Sequence, residues 1–293
     1  MHTGLSCSNP LADIVQHATA IRLTGLQPRR TLNLADKKSD WKAALATLRR
    51  FAASPGYQAP LQLQAHAALE NYWQWQAAGQ EACHLLVYGI DLGLPAATLR
   101  PLYLGTAALW RDAASVAEHA RQSMAQATAA PYGVPAPIAT RTSDYRYAVL
   151  LTSLAVLLDA PEAIAALVEH TLGLDTDRLL DYLSAAALEL EQASDDLFHR
   201  RPYGALAAFF DQLGDALPDP LVGYVQSQYS DFHRLSPKQQ KKGGPWLGTW
   251  YWALEVAALS ALYGWDDAAL RASPHYPADL VDFVRERQAQ SGL

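Results

Sequence analysis

Cysteine is scarce in this chain of 293 residues, with only Cys7 and Cys83 present. Two thiols supply neither a disulfide framework nor the ligands of a cysteine-bound zinc site. Cys83 lies in an apolar run and reads as a small buried residue. Strand patterning is nearly absent. Long hydrophobic runs are lacking too: the longest, WLGTWYWALEVAALSALY at 246–263, is interrupted by Glu255 and falls short of the ~20 residues that cross a bilayer. The opening residues, MHTGLSCSNPLADIV, lack the basic stretch and apolar core of a secretory signal. These absences predict a soluble, cytoplasmic protein with no membrane partner.

Catalytic signatures are also missing. No G-x-x-x-x-G-K-[ST] loop, no dinucleotide-binding glycine pattern and no H-E-x-x-H occurs, so no cofactor and no metal is implied. His66 and Glu70 stand one helical turn apart but have no further ligands nearby. Glu118-His119 and Glu169-His170 are sequence neighbours and diverge on a helix. Asp266-Asp267 invites a magnesium reading, yet aspartates at a helix start more commonly cap orphan amides. Glu255 sits among apolar and aromatic residues, which predicts burial and a structural hydrogen-bond partner. Trp246, Trp250 and Trp252 read as core aromatics rather than a stacking platform.

What the chain has in abundance is helical periodicity, with alanine and leucine recurring at i, i+3 and i+4. Ser39-Asp40 reads as the cap of a helix ending near Ser54-Pro55-Gly56. Further helices are predicted over 60–79, 81–92, 95–110 and from Asp112 or Ser115 to 129. PYGVPAPI at 131–138 stops helix formation and marks a boundary. Helices then resume over 142–158, 161–171, 175–193, 201–214, 219–230, 248–263, 266–272 and 277–289. The expected fold is all-α, with antiparallel helix pairs around an aromatic-rich core and two helical subdomains, 1–135 and 136–293.

Charge is unevenly spread. The net charge is −6. Residues 1–50 have a local balance of +5, and residues 161–220 hold twelve acids against three bases. Such a stretch repels nucleic acid and attracts a basic surface.

The C-terminal quarter carries a specific order of motifs. HRRPYGALAAFFDQL (199–213) contains Pro202-Tyr203 at a helix start, and LVGYVQSQY (221–229) follows. The aromatic run then holds Trp250 and Glu255. Asp266-Asp267 comes next, and Tyr276-Pro277-Ala278-Asp279-Leu280 closes the series. This order resembles the C-terminal domain of PoNi-type immunity proteins over about 199–285, with RLSPKQQKKGG (234–244) departing from the aromatic, histidine-containing loop of that family. The resemblance implies a non-catalytic inhibitor of a cognate secreted DNase toxin, delivered by machinery such as type VI secretion. It implies fold-defining roles for Pro202, Tyr203, Trp250, Glu255, Asp266, Asp267, Tyr276, Pro277 and Asp279. A nuclease surface is basic because it binds phosphates, so Asp175, Asp177, Asp181, Glu189, Glu191, Asp195, Asp196, Asp211 and Asp215 are the expected toxin-binding residues. A non-catalytic helical scaffold for another protein partner is the alternative, and a homodimer stays open.

Overall fold

The computed structural model describes residues 9–172, 177–189, 192–206, 210, 221–226 and 251–291. The fold is all-α: among the described residues every regular element is a helix and none is a strand. Helix α1 spans Pro10–Ala20, with the Asn9 side chain accepting the Ala12 amide. Helix α2 spans Leu34–Ala52 and begins earlier than Ser39-Asp40 suggests, because Asn33 accepts the amides of Ala35 and Asp36. A single turn, α3, covers Pro55–Gln58.

Two long helices follow where the sequence predicts four. Helix α4 runs Ala65–Asp91 and α5 runs Ala96–Thr128, lengths of about 40 and 50 Å at 1.5 Å per residue. Gly79, expected to end a helix, lies inside α4. Its missing side chain makes room for an indole, since a Cβ there would stand 2.7 Å from Trp110 Cε2. Asp112, expected to start a helix, is buried inside α5, where Arg111 Nε donates to it at 3.0 Å. The α4–α5 turn depends on Gly93, which has φ of +80° and whose Cβ would fall 1.9 Å from the Gln27 carbonyl oxygen. Both the left-handed backbone and the close approach of the 27–28 segment exclude a side chain.

Past 131–138, helix α6 spans Tyr145–Leu157, α7 Glu162–Leu167, α8 Arg178–Ser184 and α9 Arg200–Tyr203; α10 spans Leu254–Leu262 and α11 Ala278–Ser291. Helix α7 passes into a π-helical turn, Val168–Leu172. Three helices are shorter than the periodicity suggests. Helix α8 ends early as the chain turns back for the Ser194 amide to reach Asp181. The predicted span 248–263 is interrupted at Trp252 and Ala253, where the Ala253 amide donates to the His275 carbonyl at 2.9 Å; Tyr251 is helical, α10 starts at Leu254, and 248–250 lie outside the described residues. Within 266–272 only a 3₁₀ turn, Leu270–Ala272, forms. Of the spans 201–214 and 219–230, the parts after Leu206 (Phe210 apart) and outside 221–226 lie beyond the described residues.

Every residue of α6 is buried, as a helix apolar on all sides must be. It packs against α4, α5, α8, α10 and α11. The proline-rich connection is tied to α4: Tyr72 donates its hydroxyl to the Pro135 carbonyl at 2.8 Å, and Gln76 Nε2 donates to that of Pro137 at 2.9 Å. One apolar cluster runs from Leu11 to Val284 on both sides of that connection. Cys83 lies within it, as expected, with burial pushing its thiol up to about 12 against the Trp110 hydrogen bond.

Two consecutive arginines clip the first half to the second. Arg30 donates to both oxygens of the fully buried Asp91, at 2.7 and 2.9 Å, and Trp252 Nε1 donates to the same carboxylate at 3.0 Å. Arg29 donates to Asp279 at 2.8 and 2.9 Å and to the Ile90 and Leu94 carbonyls at 2.8 Å each.

Gly79→Ala sets two effects against each other. Helix propensity favours alanine by about 1 kcal/mol, whereas forcing a methyl against Trp110 costs about 1–3 kcal/mol. The steric effect is expected to win, so the urea midpoint of Gly79→Ala falls below that of the parent protein with an unchanged m-value.

Candidate functional site

The acidic segment divides into interior and exterior. Asp177 is fully buried and caps α8, accepting the Leu180 amide at 3.1 Å. It also accepts the Phe198 amide at 2.8 Å and the Tyr145 hydroxyl. Asp181, 3% exposed, accepts the Ser194 amide at 2.7 Å. These two carboxylates staple residues 194–198 to α8. The expectation that Asp177 and Asp181 face a partner is therefore corrected: each is enclosed by donors from its own chain. The loop they hold displays Asp195 and Asp196 to solvent, and Glu189 is exposed as well. The Arg178 amide donates to the Asp196 carbonyl at 2.7 Å, and the Asp196 amide to Ser194 Oγ at 3.1 Å, which fixes the loop backbone. Asp175, Glu191, Asp211 and Asp215 lie outside the described residues, as does Trp250.

The described motif residues are placed as follows. Glu255 is 2% exposed and accepts the Tyr224 hydroxyl at 2.9 Å, the buried, hydrogen-bonded state that its apolar setting predicts. Burial pushes the Tyr224 phenol well above its ordinary value, with the Glu255 charge adding to the effect. Pro202 stands in α9, and Tyr203 is buried at its end with its ring 5.6 Å from that of Tyr145.

The Asp266-Asp267 pair splits. Asp266 is exposed and accepts the Ala268 amide at 3.0 Å within a local turn; it caps no helix, since the 3₁₀ turn that follows starts after Ala269 without a side-chain cap. Asp267 is buried and accepts from Arg271 at 3.1 Å, Arg285 at 3.0 Å and the Tyr276 hydroxyl at 2.9 Å. Burial pushes its carboxyl up, but the bonds from Arg271, Arg285 and Tyr276 together outweigh burial and hold it below the usual carboxylate range. Pro277 is buried at the entry to α11, where its carbonyl accepts the Leu280 amide at 3.0 Å. Asp279 is exposed and bonded by Arg29.

Among the described residues no group of three or more His, Cys, Asp or Glu is arranged to hold a metal ion. None of the described helices is long and apolar enough to cross a membrane. Trp252 is core, 3% exposed; Trp246 lies outside the described residues.

Sequence reasoning missed Asp91, although its signal was the one that singled out Glu255: a lone acid inside an apolar run, here LLVYGIDLGL. It also missed Arg141, Thr171 and Phe198. These line a groove of about 430 Å³ together with Ile138, Leu172 and Asp196.

Comparison with known proteins bears on what this scaffold is. Residues 5–128 match the PA2201 N-terminal domain-like family, and residues 175–280 match the C-terminal domain of the PoNe immunity proteins, PoNi. The crystal structure of protein PA2201 from Pseudomonas aeruginosa is 48% identical, covering 94% of this chain and 97% of that one with a TM-score of 0.84. No curated protein matches. The chain belongs to the family of PA2201, and its C-terminal domain is of the PoNi type. That domain points to an immunity protein for polymorphic nuclease effectors, a generally non-catalytic class whose members bind a cognate toxin protein.

Asp267 gives a pH signature. Its folded pKa lies below the ordinary 3.8, so its contribution to stability is complete above that value and is lost as pH falls through the lower folded one. Asp267→Asn is expected to cost about 1–3 kcal/mol at pH 7. The gap in thermal midpoint between the two proteins should narrow only below pH 4, as followed by circular dichroism in a pH series. A gap already closed at pH 5 contradicts this ionic role.

Proposed function

We propose that this protein neutralises one cognate antibacterial DNase, an effector of the type VI secretion kind, by stoichiometric binding in the cytoplasm through an acidic surface. The observation that carries the reading is a coincidence of position. Ten of the twelve acids in 161–220 fall at or after residue 175, where the PoNi match begins. Glu189, Asp195 and Asp196 are the described, exposed members. Asp175, Glu191, Asp211 and Asp215 belong to the same proposed surface by sequence. A DNase must present cations to phosphates, and an acidic inhibitor meets those cations, competes with DNA and is steered quickly to its target. The same charge disfavours direct contact with nucleic acid.

The direct test is protection. The nuclease domain encoded beside this gene is expressed in cells with and without this protein, and survival and chromosomal integrity are followed. Survival with intact DNA and a co-purified complex is the expected result; death despite soluble expression refutes the immunity reading and leaves a helical scaffold for some other partner.

Electrostatic steering gives a second expectation. Glu189→Lys with Asp195→Lys should lower the association rate several-fold at low salt and flatten its dependence on ionic strength, with helicity unchanged. An association rate equal to that of the parent protein at low salt argues against this surface.

A further inference from the structure

The groove beside the acidic loop has chemistry that a simple acidic patch lacks. It lies between the end of the proline-rich connection, the π turn and the loop that Asp177 and Asp181 hold. Ile138 and Leu172 give it an apolar floor. Arg141 and Asp196 line it with opposite charges yet form no ion pair with each other. Both residues are exposed. The Arg141 guanidinium lies 3.9 Å from the centre of the Phe198 ring, a cation–π contact that positions it without neutralising it.

Thr171 adds a third unanswered group. Thr106, Thr128 and Thr152, all in α-helices, each donate to the carbonyl four residues back at 2.8–2.9 Å. Thr171 stands in the π turn, is 5% exposed, and its hydroxyl has no hydrogen-bond partner among the described residues. π-Turns of this kind recur at functional sites.

Resting on the immunity reading, we propose that this groove seats a short peptide segment of the toxin. The segment carries an apolar side chain for the Ile138–Leu172 floor, flanked by an acidic group for Arg141 and a basic one for Asp196. The complement of opposite charges that have no ion-pair partner among the described residues, set over an apolar floor, is a polypeptide of mixed charge, not a phosphate or a DNA strand, which Asp196 would repel. The groove thereby supplies specificity: a generally basic surface satisfies Asp196 but leaves Arg141 facing like charge.

The experiment is calorimetric titration of the adjacent-gene nuclease domain, in a catalytically dead form, into the full-length protein and its variants. Arg141→Glu is the deciding variant. If the protein attracts its toxin only through bulk acidity, this change makes the net charge more negative by two and tightens binding. If the groove seats a mixed-charge segment, Arg141→Glu weakens binding at least ten-fold, as does Asp196→Lys. Thr171→Val weakens it by a smaller factor while leaving the thermal midpoint unchanged or raised, because a buried unpartnered hydroxyl has been removed. Arg141→Glu binding as tightly as the parent protein, or more tightly, overturns the groove while leaving the immunity reading intact. No binding by the parent protein overturns both.

Discussion

A carboxylate taken out of water must be answered by donors, or the structure around it does not hold. Asp91, Asp177, Asp181, Glu255 and Asp267 are all buried in this chain, and each is answered by donors from its own chain. Asp91 takes a bidentate arginine and an indole. Asp177 and Asp181 take backbone amides from a loop, and Asp267 takes two arginines and a tyrosine. Each arrangement joins segments that the hydrophobic core alone would leave free to slide. Apolar burial is non-directional, so these bonds set the register of the helices.

The same requirement explains how far the sequence could be read. The all-α class and the burial of Glu255 and of Cys83 follow from patterns within a few residues of each position. Asp177 and Asp181 could not be told from surface acids, because their donors come from Phe198 and Ser194, 21 and 13 residues away. Gly79 and Asp112 mimic helix ends for a comparable reason. A glycine that admits an indole and one that stops a helix look alike until Trp110 is placed against it. Asp91 is legible by the rule applied to Glu255, as a lone acid in the apolar run LLVYGIDLGL. The groove was not legible at all, since its lining comes from three stretches separated by 30 residues or so.

The two arginines at 29 and 30 tie the family's two parts together. Arg30 and Asp91 belong to the span that matches the PA2201 N-terminal domain, whereas Trp252 and Asp279 belong to the PoNi span. One carboxylate, Asp91, thus collects a donor from each. Breaking one partner of such a cluster leaves a buried charge uncompensated, which is costlier than never having built it. The N-terminal helices are accordingly part of what holds α10 and α11 in place, and the stretches on either side of the proline-rich connection at 131–138 share one core.

Commitment of the interior carboxylates also bears on where function can reside. A general base must reach a substrate proton, and a carboxylate that caps a helix or accepts two guanidinium groups has its lone pairs engaged already. Glu255 and Asp267 are shielded from water as well. Glu189, Asp195 and Asp196 are exposed instead, and two of these sit on a loop whose backbone is pinned from beneath by Asp177 and Asp181. A charge on a pinned loop loses little further freedom on meeting a partner, so more of its interaction energy is kept as affinity. Among the described acids of this segment the buried pair therefore serves the exposed ones: Asp177 and Asp181 hold the loop on which Asp195 and Asp196 stand.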